Sequence, residues 1–142
     1  MYNAVNHITQ GGIMKTMSLS TVINPAILIL AALIAAVTFL ALRGNNLPLL
    51  ANPKVSVAIV LVLGFAMCAQ GGLGYVGAAG QWTHPLAIVG YVLGAAILVV
   101  AGAAFFGFKL PLIAGPSQAL IAMVALIGAK VVNSLAHYLV TR

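Results

Sequence analysis

Four apolar runs, each about 20 residues long and separated by short stretches that hold most of the prolines and charges, limit what this chain can fold into. A bilayer core about 30 Å thick needs about 20 helical residues to cross it. The first run is Asn24 to Leu42, with Asn24 as a helix cap and Pro25 at the first helical position, where its missing N–H costs nothing. The second extends from about Val55 to Gly74. The third opens at Pro85 behind Thr83 as its cap and reaches about Phe106, and the fourth goes from Pro116 to Val140. Connections of about 12, 10 and 9 residues make neighbouring helices antiparallel. The expected fold is therefore all-α: an integral membrane bundle of four antiparallel transmembrane helices. A polar N-terminal tail over residues 1–22 precedes a single transmembrane domain over 23–142. Because the first run is 20 residues long from Ile23 and ends in Arg43, it reads as a retained span, not a cleaved leader.

Composition agrees, with 63% hydrophobic and 4% charged residues where a soluble domain carries about 25% charged. There is no Asp or Glu anywhere in the 142 residues. This excludes an intramembrane carboxylate relay, a carboxylate metal site, a Ser-His-Asp triad and a two-carboxylate hydrolase. It also excludes the small multidrug exporters that depend on a membrane glutamate. No catalytic signature is left, so the chain is expected to be non-catalytic.

The six basic residues, Lys15, Arg43, Lys54, Lys109, Lys130 and Arg142, are scattered along the chain. Scattered cations read as interfacial anchors, whereas nucleic-acid binding needs a basic patch. Four spans put both termini on one side with Lys15 and Arg142, and Arg43, Lys54 and Lys109 on the other. By the positive-inside rule the termini are expected to be non-cytoplasmic.

Small residues suit close helix packing in lipid: Gly64, Cys68 and Gly72 recur every four positions, and Gly90 and Gly94 form a GxxxG pair. Cys68 is the single cysteine, so no disulfide within the chain is possible, and it reads as a small packing residue. The stretch Gly71–Gly80 lacks the Gly-Lys-Ser/Thr ending of a phosphate loop and reads as a turn.

Chemistry concentrates on the fourth helix. Lys130 lies near its middle, where a lysine costs about 2.5–3.5 kcal/mol on the insertion scale. Asn133, Ser134, His137, Tyr138 and Thr141 follow at helical spacing and share its face. Such a stripe is expected to face protein, water or a bound polar group. Three readings fit Lys130: snorkelling to the interface, pairing with an acid, cofactor or lipid headgroup outside the chain, or lining a path for an anion or small polar solute. His84 and His137 fall near the same membrane surface and are candidate haem or chlorophyll ligands; no cofactor is required by the sequence. The function expected is a small accessory or structural subunit of a larger membrane complex, with other membrane subunits as partners. The alternatives are a homo-oligomeric channel or carrier and, more weakly, a tetrapyrrole-binding subunit.

Overall fold

A computed structural model of the protein describes residues 25–44, 47–70, 76 and 80–141. The expected polar tail, the Asn24 cap, Gly72 and Arg142 lie outside the described residues. Four helices follow in order: α1 (Pro25–Leu42), α2 (Pro53–Cys68), α3 (Pro85–Phe106) and α4 (Pro116–Thr141). Each of the four begins at a proline, whose fixed φ is already helical and whose missing N–H had no helical acceptor to lose. At its other end α3 stops at Gly107, which takes a left-handed φ of 73° that a residue bearing Cβ adopts at a cost. 

Two expectations about helix ends are corrected. The second helix was expected over about Val55 to Gly74; it starts two residues earlier and its α-helical part ends at Cys68. Asn52 is the reason for the early start: its Oδ1 accepts the Lys54 N–H at 3.1 Å and Pro53 takes the first helical position. Ala69 and Gln70 then continue as a π turn. At about 1.5 Å per residue, 16 residues give about 24 Å, less than a bilayer core. The other three helices are long and apolar enough to cross a membrane. The second correction concerns α3, where His84, and not Thr83, is the cap; its Nδ1 accepts the Leu86 N–H at 3.2 Å.

The helices close on a core in which α2 and α4 form the central pair. Both pack against α1 on one side and α3 on the other, and the α3–α4 interface is the most extensive. Gly64 of α2 meets Ile127 of α4, and Cys68 one turn later lies near Lys130, so these two helices run parallel. Gly90 and Gly94 of α3 meet Asn133 and Lys130, so α3 runs antiparallel to α4. Call end A the one holding the starts of α1 and α3, and end B the one holding the starts of α2 and α4.

Val57 and Val60 from α2 and Met123 from α4 are fully buried, with Ile34, Ile97, Ala101, Leu120 and Ile127 around them. Outward faces are just as apolar: Leu28, Ile29, Val62, Val92, Val99 and Val132 are all exposed. In water that surface would drive aggregation, and against acyl chains it is the ordinary condition of a membrane helix. α1 buries only Ile34 and Thr38, and the Thr38 hydroxyl donates back to the Ile34 carbonyl at 2.7 Å.

Candidate functional site

The polar stripe of α4 is turned inward onto the glycine face of α3. Lys130, Asn133, Ser134, His137, Tyr138 and Thr141 are buried or half-buried, while Val131, Val132, Leu135, Leu139 and Val140 between them are exposed. Glycine makes this approach possible. A Cβ at Gly90 would stand 3.4 Å from Asn133 Nδ2, and one at Gly94 only 3.0 Å from Lys130 Nζ. The GxxxG pair of α3 is thus a shallow groove that receives two polar side chains of α4, where such a pair more often receives a second helix backbone.

Asn133 uses the groove to reach backbone. Its Nδ2 donates to the Leu86 carbonyl at 2.8 Å, linking α4 to the first turn of α3. Interhelical polar bonds in a bilayer contribute about 0.6 kcal/mol on average, with a maximum near about 1.7. Asn133→Leu is therefore expected to lower stability by about 1 kcal/mol in a denaturant titration in micelles, since the amide goes and a branched chain must fit beside Gly90. A variant as stable as the parent would show that this bond contributes nothing.

Lys130 lies level with Gly94 and beside α2, its ammonium near the Cys68 sulfur. The ammonium thus lies toward the junction of α2, α3 and α4. Cys68, expected as a packing residue, is half-buried at that junction. Gly64, one helical turn earlier, faces Ile127 so closely that a Cβ there would lie 2.7 Å from its Cδ1.

At end A the stripe closes on a histidine pair. His84 and His137 stack with ring centroids 4.5 Å apart and planes 23° from parallel. His137 is 3% exposed, and its Nε2 lies 3.1 Å from Gln81 Oε1. A carbonyl oxygen only accepts, so Nε2 carries the proton of this bond. His84 Nδ1 is an acceptor for its helix cap, so its own proton is on Nε2 in the neutral ring. The Thr141 hydroxyl donates to the His137 carbonyl at 2.7 Å, and the Tyr91 hydroxyl to the Trp82 carbonyl at 3.2 Å. An axial pair on one tetrapyrrole metal needs a nitrogen from each ring pointing at it from opposite faces of the macrocycle. Rings stacked face to face leave no such opening, so His84 and His137 as they stand do not form that pair. Among the described residues, no group of three or more metal-ligating side chains comes together.

Sequence reading missed three participants. Gln81 and the Leu86 carbonyl carry no sequence signal, because a loop glutamine and a backbone oxygen gain meaning only when another helix is set against them. Ser56, buried on α2, has no sequence signal either.

These features define an all-helical chain, three of whose helices are long and apolar enough to cross a membrane, with polar side chains converging on a helix–helix seam. No protein-family model, curated protein or solved structure matches the chain.

Proposed function

We propose that the chain is a lipid-embedded four-helix bundle acting as a non-catalytic structural subunit of a larger membrane assembly. The observation that supports it is where the polar side chains go. Asn133 is engaged with α3 backbone, His137 with His84 and Gln81, and Lys130 with a glycine groove beside Cys68. A conduit built on Lys130, Asn133 and Ser134 would need those groups facing a continuous opening, and two of them instead pack against α3. Their contribution is to the register of one helix on another, which is a scaffold's property.

A surface is left for the partner on the outer side of α4. Ala125, Gly128 and Ala129 are exposed there, and a Cβ at Gly128 would meet nothing. Small residues on a lipid-facing helix let a transmembrane helix of another chain approach closely.

Native mass spectrometry of the protein, extracted gently from its own membrane, tests the reading. A stoichiometric complex with other polypeptides is expected, and Gly128→Leu should release the chain from it while leaving helical content unchanged. A clean homo-oligomer, unaffected by Gly128→Leu, would overturn the proposal.

A further inference from the structure

End B holds a cavity that the helix seam does not use. About 350 Å³ in volume and partly open, it is lined by the last turn of α1, by Gly44, Leu50 and Ala51, and by the first turns of α2 and α4. That size falls at the lower end of sites that hold small ligands, roughly 300–1,000 Å³. Ala41, Leu42, Leu50 and Leu120 supply apolar wall, and Ser56 and Ser117 supply hydroxyls.

Ser56 is the informative residue. It is 1% exposed, and among the described residues its Oγ is the buried side-chain polar atom without a hydrogen-bond partner. A serine inside a helix ordinarily donates to the carbonyl four residues back. Here that carbonyl belongs to Asn52 and already accepts the Val55 and Ser56 N–H groups, at 3.0 and 3.4 Å. A buried hydroxyl left without an acceptor is costly, so this position favours a bound group that supplies one.

The start of α4 offers donors to the same group. Pro116 has no N–H, Ala119 N–H is taken by the Gly115 carbonyl at 3.0 Å, and Gln118 Oε1 is taken by Ala114 N–H at 2.7 Å. Among the described residues the Ser117 and Gln118 N–H groups meet no backbone acceptor, at the positive end of a 26-residue helix dipole. Arg43, Lys54 and Lys109 belong to this end of the bundle, and the chain has no carboxylate to repel an anion.

We infer that this cavity binds a phosphate group, its oxygens accepting from the Ser56 and Ser117 hydroxyls and from the first free N–H groups of α4. The carbonyl end of α1 forms the facing wall and suits a donor attached to that phosphate, such as an ammonium or hydroxyl. Two sources carry this chemistry: a phospholipid headgroup and inorganic phosphate.

The test compares the full chain, delipidated in detergent, with a Ser56→Ala/Ser117→Ala variant, using phosphatidylethanolamine and inorganic phosphate as separate probes. The expected result is that the variant loses about a hundredfold or more in affinity for whichever probe binds, since two donors to a charged acceptor are removed. One lipid retained per chain in native mass spectrometry, and not displaced by millimolar phosphate, assigns the site to a headgroup. Saturable binding of phosphate alone assigns it to the free anion. Should the double variant fail to fold, Ser56→Cys, close in shape but a weak donor, is expected to show a smaller loss of the same sign. Equal binding by parent and variant for both probes would overturn the inference and leave water as the occupant.

Discussion

Gly64→Leu is expected to destabilise the protein by about 2–3 kcal/mol, a loss readable as a lower midpoint in a denaturant titration in micelles. The steric situation explains the size. A Cβ at this position would stand 2.7 Å from Ile127 Cδ1 and 3.3 Å from its Cγ1, and Ile127 is itself buried in the core. Alanine is the weaker test, because its helix propensity exceeds that of glycine by up to about 1 kcal/mol and offsets part of the clash. Leucine adds three carbons beyond Cβ with nowhere to put them, so α2 must separate from α4. Because the conflict is with one side chain, Gly64→Leu combined with Ile127→Ala should recover more than half of the loss. A double variant no better than the sum of its singles would show that the two helices do not meet at this point.

Lys130→Met is expected to act in the opposite direction, raising stability by about 1–3 kcal/mol. Its ammonium lies half-buried beside Gly94 and Cys68 near the middle of a long apolar helix, and no acidic side chain exists in the chain to pair with it. Methionine has a similar length and a flexible thioether that can occupy the same groove without that cost. Lys130→Ala separates charge from volume: it removes the same charge but empties the groove, and should gain less than methionine or lose stability. If Lys130→Met lowers the midpoint instead, the ammonium is holding an acceptor, and the groove is a binding element.

Helix existence and type were readable from the apolar runs alone, because hydropathy over about 20 residues and a proline at each start both reflect the local chain. Even so, α2 was misjudged at both ends. Its start depends on Asn52 acting as a cap, which hydropathy does not register, and its α-helical part gives way to a π turn at Ala69 and Gln70 where the small-residue pattern shows no break. The stripe on α4 was legible as a face, from the spacing of Lys130, Asn133 and His137. What that face meets was not, since the partner is a pair of glycines whose contribution is the absence of a side chain. Gln81 lies even further from sequence logic: 56 positions separate it from His137, and only the antiparallel register of α3 and α4 brings them together.

The central pair of the bundle consists of α2 and α4, which are not consecutive in the chain. Synthesis from the N-terminus completes α1 and α2 before α3 and α4, yet Val57 and Val60 share one core with Met123. Until α4 is made, Gly64 of α2 lacks the Ile127 side chain it packs against, and the first two helices hold only part of a core. Completion of the core therefore waits on the final 26-residue helix, which makes the assembly of this small protein a matter of order as well as hydropathy.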